Sequence, residues 1–386
     1  MKLSAHPLWL VGFRPFFLLA CLAGLAFPLL WALMFTGKLP APASPVSALQ
    51  WHAHEMFFGF GWAVLGGFLL TATKNWVQVR GWHGPALVGL AAAWVIERVG
   101  MAFGAGWPPL LFWLSNLLFL AAIVAMLLWT LLRHRGQDSF ADNPFFYVVL
   151  PAFLAAKLLV LDQPHFHAGV TMAIGLYRMA FLLMLERTLT QFMKGLFQVE
   201  VLRKPWLDGA IKLLGLALVF QAWLPVLPAA LLLGLLAALL AVRFVGWRPD
   251  LGFTRIDLAV MFLGYLAIVA QLLVEAAGLL GAGVWVGSVS VHLFTVGVMG
   301  LIIPAMFVRI SKGHTGRKVV FDAGDKLVLW IMLTALVLRV VLPQLVPAAY
   351  GRWVHLSAGA WFLGFGILGL RLLPRLIAPR IDGKEH

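Results

Sequence analysis

The residues best equipped for chemistry in this chain are histidines, and two stretches hold them in suggestive company. Trp51-His52-Ala53-His54-Glu55-Met56 gathers two imidazoles, a carboxylate and a thioether into one short run. Farther along stands His292, with Thr295, Met299 and Met306 following on approximately the same helical face. Imidazole is the commonest metal ligand and the axial ligand of many haems. Residues two apart on a helix diverge by about 200°, so His52 and His54 cannot chelate one ion from a regular helix. His52, Glu55 and Met56 do share a face, at i, i+3 and i+4. Two readings stay open. One histidine ligates a haem iron or copper while the other meets a second centre or a carboxylate, or the pair simply hydrogen-bonds at a helix entry. Glu55 favours the first, because carboxylates orient ligating imidazoles. Cys21 is the single cysteine, which removes internal disulfides and thiolate clusters and leaves the 13 methionines as the soft sulfur donors.

Charged residues also interrupt apolar runs at Glu97-Arg98, Arg178, Glu186-Arg187, Glu275 and Arg339. Such residues either clamp an anionic group or pair with one another between helices. Lys157 falls near a predicted helix end and is expected to snorkel. The loop from Arg309 through His314 to Arg317 is compact, basic and glycine-punctuated. It suits an anion held by backbone N–H groups, or a plain topological anchor. No Walker spacing, GxSxG, HExxH or CxxC occurs, so no motif names a reaction.

The elements that position these residues follow from composition. Of 386 residues 62% are hydrophobic and 11% charged, with a mean hydropathy of +0.95. A soluble domain averages about 45–50% apolar and about 25% charged. The apolar residues run continuously, which excludes a β-barrel as well as a soluble or disordered chain. The fold class is all-α: a polytopic membrane helix bundle, taken as one integral membrane domain over 1–386. With roughly 20 apolar residues needed per crossing, Pro, Gly and charge punctuation predicts twelve spans. They are 13–36, 51–73, 85–103, 108–132, 144–161, 168–193, 208–224, 226–245, 256–280, 284–308, 326–348 and 353–375. The first is longer than a signal-peptide core of about 7–15 residues and reads as an uncleaved helix.

The formal charge of +14 then has a topological meaning and is not a nucleic-acid signal. With the N-terminus inside, 22 basic residues fall in inner segments, from Lys2 and Arg14 to Arg380 and Lys384, against Lys38 and Arg352 outside. That asymmetry puts both termini and a tail from about 376 to 386 in the cytoplasm. It also sorts the histidines, with His52, His54, His165, His167, His292 and His355 at outer helix ends and His6, His83, His134, His314 and His386 on the inner side. No internal repeat is evident; His54-x4-Gly59 and His292-x4-Gly297 match too briefly to establish one.

Several segments together resemble the NnrS family, bacterial inner-membrane proteins that carry haem and copper and are associated with nitric-oxide metabolism. They are His6-Pro-Leu-Trp-Leu-Val-Gly-Phe-Arg14-Pro-Phe-Phe, Trp51-His-Ala-His54-Glu-Met, His292-x4-Gly-Val-Met-Gly300 running on to Arg309 and Gly313-His-Thr-Gly-Arg317, and His355-Leu-Ser-Ala-Gly-Ala-Trp361. The resemblance implies haem, with copper as a second metal, bound in the inner membrane by a protein that meets nitric oxide. His52, His54 and His292 are the expected ligands and His355 the reserve. Glu55 would orient an imidazole, Arg14, Arg309 and Arg317 would meet acidic groups, and His314 is included by the motif alone. The chain departs from the pattern at Phe262, where the family has histidine in a Leu-His-x-Gly-Tyr sequence. The competing expectation is a secondary transporter whose intramembrane Arg and Glu residues line a substrate path, although the repeat common in that class is not visible.

Overall fold

The computed structural model describes residues 6–283 and 285–383, all helices and connections; Lys2, Lys384 and His386 lie outside the described residues. Among the described residues twelve apolar helices follow one another. They are α1 (Phe13–Phe35), α2 (Ala48–Trp76), α3 (Pro85–Gly106), α4 (Pro109–Arg133), α5 (Phe145–Leu161), α6 (Gln163–Phe197), α7 (Pro205–Trp223), α8 (Val226–Gly246), α9 (Ile256–Leu279), α10 (Val289–Gly313), α11 (Ala323–Leu345) and α12 (Pro347–Ile377). Eleven are long and apolar enough to cross a membrane, while α5 is equally apolar but has only the 17 residues from Phe145 to Leu161. The protein is a multi-pass membrane helix bundle. Large apolar side chains such as Leu110, Trp129, Leu231, Val245 and Leu370 are exposed, as lipid-facing surface requires, whereas Arg14, Glu97, Lys157 and Arg178 are buried.

The helices gather into two compact units, and each is described by itself. The first holds α1–α5, α10 from Met306 with the following loop, and α12 from Trp361. The second holds α6 from His167, α7–α9, α10 through Ala305, α11 from Lys326, and α12 through Ala360. In the first unit α1 lies close on α2, because a Cβ on Gly67 would stand 2.7 Å from that of Phe16. Thr71 Oγ1 takes the backbone N–H of Phe13 at 2.9 Å. Phe17 stacks on Phe307 at 3.8 Å, and Phe60 meets Trp361 and Phe365 edge-on. Arg14 donates to the carbonyls of Leu376 and Ala378 at 2.8 and 2.7 Å, so the start of α1 and the end of α12 share one end of this unit.

Helix α2 is placed by its first turn. Ser47 and Gln50 form a reciprocal capping box, which satisfies two otherwise orphaned N–H groups. The Gln50 amide then caps the last carbonyls of α5, donating to Val160 and Leu161 at 3.1 and 3.0 Å. In the second unit α10 begins at Val289, five residues later than the predicted span. Gly281, Gly283 and Gly287 adopt positive φ before it and break the apolar run. His292 therefore sits in the first turn of its helix and not deep within it.

Three of the long helices change hydrogen-bonding register partway. Glu55–Gly61 in α2, Leu293–Met299 in α10 and Val337–Val341 in α11 are π-helical. Such segments are rare and frequently mark functional sites.

Candidate functional site

In the first unit His54 is the last α-helical residue before the π-helical segment of α2. Its Nδ1 lies 3.3 Å from Glu55 Oε1 in hydrogen-bonding alignment. Its Nε2 lies 3.3 Å from Glu97 Oε1 without that alignment. Glu97, on α3, also receives Lys157 Nζ from α5 and Arg98 Nη2, each at 2.5 Å. Arg98 Nε stands 2.9 Å from Glu55 Oε2. His54, Glu97 and Lys157 have no accessible side-chain surface and Glu55 has 1%. Two carboxylates face two cations around the imidazole. That balance is the condition under which charges survive burial. Lys157 does not snorkel, because Glu97 holds its ammonium inside.

Gly59 makes the cluster possible. A Cβ there would come within 2.6 Å of Arg98 Nη1 and 2.9 Å of Glu55 Oε2. Its carbonyl accepts the indole N–H of Trp94 at 3.0 Å. His52, two residues before His54, faces elsewhere, half-buried and stacked on Trp31 at 4.4 Å and 7°.

In the second unit His292 occupies the same local position, the last α-helical residue before the π-helical segment of α10. Its Nδ1–H donates to the Ser288 carbonyl at 2.8 Å. That leaves Nε2 as an acceptor, and Arg339 Nη2 stands 3.2 Å from it. Arg339 lies in the π-helical segment of α11 and also donates to Tyr350 Oη at 3.1 Å. All three side chains are half-buried. His355 is half-buried on α12.

The remaining expected residues lie at the basic end of the first unit. Arg14 is fully buried and caps α12. Arg309 lies 5.3 Å from the centre of the Phe321 ring. His314 packs against Phe13 at 5.7 Å, and its carbonyl accepts from Arg380 at 3.3 Å. Burial, then the positive charges of Lys74 and Arg380, hold its pKa down to about 4. His314 is therefore neutral at physiological pH. Arg317 keeps a buried Nη1 with no hydrogen-bond partner among the described residues.

Phe262, where the family pattern has histidine, is fully buried on α9 between Phe244 and Phe253, at 5.8 and 6.1 Å. A Cβ on Gly252 would meet its ring at 2.2 Å, so the neighbourhood is shaped to an aromatic hydrocarbon. Two polar networks of the second unit were only half visible beforehand. Glu186 pairs with Arg203, Lys212 and Arg243, with Asp208 between them. Arg178 donates to Gln271 at 3.0 Å, and Glu275 accepts from Gln221 at 3.1 Å and from Ser290.

A ligating imidazole needs one nitrogen held by an acceptor and the other open to the metal. His292 has the first half of this posture, and the Arg339 guanidinium stands in front of Nε2. His54 has the first half of it, but its Nε2 faces a carboxylate already bonded to two cations inside a sealed cluster. A metal there would displace Lys157 and Arg98, so the cluster fits an internal ion network better than a resident ion. Among the described residues no group of three or more His, Cys, Asp or Glu side chains is arranged to hold a metal. Comparison with known families finds that the model described as NnrS protein matches residues 7–380. Comparison with curated proteins finds no match.

Proposed function

The chain belongs to the NnrS family, and from that membership we propose that it is a haem-binding protein of the bacterial inner membrane that acts in nitric-oxide response or detoxification. The posture of His292 carries the reading: its Nδ1–H is tied to the Ser288 carbonyl, and its Nε2, at a helix entry, faces Arg339 Nη2 at 3.2 Å. Haem iron held by His292 supplies reversible binding of nitric oxide. The chain's own groups do the rest. Ser288 fixes the tautomer and the ring plane. Arg339 leaves the imidazole for an acidic group of the cofactor, with Tyr350 as its second anchor. His54 is set aside as a ligand in favour of its ion network, with Glu55 as its partner.

The test is the absorption spectrum of the purified protein, oxidised and reduced, with and without nitric oxide. The expected result is a Soret band that shifts with the gas and is lost or displaced in His292→Ala. A featureless spectrum would overturn the reading. Substrate-dependent flux in proteoliposomes, surviving replacement of His52 and His292, would then assign the protein to transport.

A further inference from the structure

At the basic end of the first unit the positive charges of the described residues outnumber the carboxylates among them. Lys312 and Arg371 take Asp325, and Arg371 also takes Asp322. Arg380 takes Asp382 at 2.6 Å. Asp322 and Asp325 lie within electrostatic range of Arg375, but those bonds belong to the other cations. Arg317 and Arg375 are half-buried and within electrostatic range of each other. Each keeps a buried Nη1 with no hydrogen-bond partner among the described residues. Arg14 lies within range of Arg317 and Arg380, is fully buried, and donates to the carbonyls of Leu376 and Ala378.

The backbone holds this arrangement in place. Gly316 turns at φ +79, where a Cβ would strike the Asp382 carboxylate at 2.7 Å. Ile381 N–H donates to the Thr315 carbonyl at 3.2 Å, tying the tail to the loop that carries Arg317. Like charges gathered with buried, unmet donors are costly unless an anion joins them. Guanidinium groups in this number suit an oxyanion with several acceptors.

We propose that Arg317 and Arg375, backed by Arg14 and flanked by Arg380, form a binding site for a phosphate-type oxyanion. The site is independent of the histidine reading above. Its phosphate comes either from solution or from the headgroup of an anionic lipid. The loop and the α12 terminus hold the two guanidinium groups, and the anion joins two segments, 313–317 and 375–383, that are distant in sequence.

The experiment follows thermal unfolding of the full chain in dodecyl maltoside while inorganic phosphate is titrated against chloride of matched ionic strength. A binder of the folded state raises the midpoint with concentration. The expected result is a phosphate-specific rise, with apparent affinity at least about tenfold weaker in Arg317→Gln and Arg375→Gln. Arg317→Lys and Arg375→Lys, which keep the charge, retain part of it and separate binding from folding. A rise only on adding phosphatidic acid, abolished by the same substitutions, supports the site and assigns the headgroup as its source. No rise with either ligand, or a full rise in both glutamine variants, overturns the proposal. So does a rise that appears in Glu385→Gln but not in the parent, since the tail then supplies the counter-charge.

Discussion

His54 in the first unit and His292 in the second stand at the same point of the same local structure, each closing an α-helical turn before seven π-helical residues. Their surroundings are opposite. His54 is sealed between two carboxylates that two cations neutralise, whereas His292 is half-buried with a carbonyl on one nitrogen and a guanidinium on the other. The brief match of His-x4-Gly in the two helices thus corresponds to a shared backbone device. A π-helical segment adds a residue to the turn, and what that residue's displacement exposes depends on the helices packed alongside. The same device serves an internal ion network in one unit and an accessible imidazole in the other.

The sharpest break of this comparison is Glu97→Gln. It leaves Lys157 and Arg98 short of a counter-charge in a buried site, a loss of about 3–5 kcal/mol, read as thermal unfolding in detergent. Adding Lys157→Met recovers much of it. A single-variant loss no larger than that of a surface change would sink the idea that the cluster is an ion network.

His314 supplies a histidine held down by burial and by the cations Lys74 and Arg380. Its folded pKa of about 4 lies below the ordinary 6.5, so the unfolded chain binds the proton more readily. Its contribution is complete above about pH 6.5 and is lost as pH falls toward 4, about 3 kcal/mol in total. His314→Phe should flatten the pH dependence of the unfolding midpoint in that window. An unchanged slope would refute the assignment.

Smaller effects separate the two glycines. Gly59→Ala forces a methyl against Arg98, Glu55 and Phe27 and costs about 1–3 kcal/mol. Gly297→Ala meets the Ala267 methyl at 2.9 Å, so Ala267→Gly should rescue it, while no single-methyl change rescues Gly59→Ala. The least effect is expected from Arg339→Gln, which removes the half-exposed hydrogen bonds to His292 and Tyr350 at about 1–2 kcal/mol in all. If it destabilises the protein as much as Glu97→Gln, the contrast between a sealed and an accessible histidine fails.

Much of this was legible in the residues. The twelve predicted spans and the observed helices agree closely, because the run of apolar residues and its Gly, Pro and charge punctuation are local properties. The 284–308 span began too early because composition does not register the positive-φ glycines before Val289. The π-helical segments were invisible, since they are selected by packing against neighbours such as Arg98 and Ala267. Lys157 was misplaced for a similar reason: only the approach of α3 to α5 shows that Glu97 awaits it. Phe262 was recognised as a departure, but its aromatic surroundings, opened by Gly252, come from another part of the chain.

The sequence by itself determined the membrane class and the order of the helices. These follow from apolar content and periodicity, which every segment carries alone. Tertiary structure decided which charges meet, and which imidazole is sealed and which is half-buried. A buried charge is tolerated only through a partner, and in this chain those partners lie on other helices.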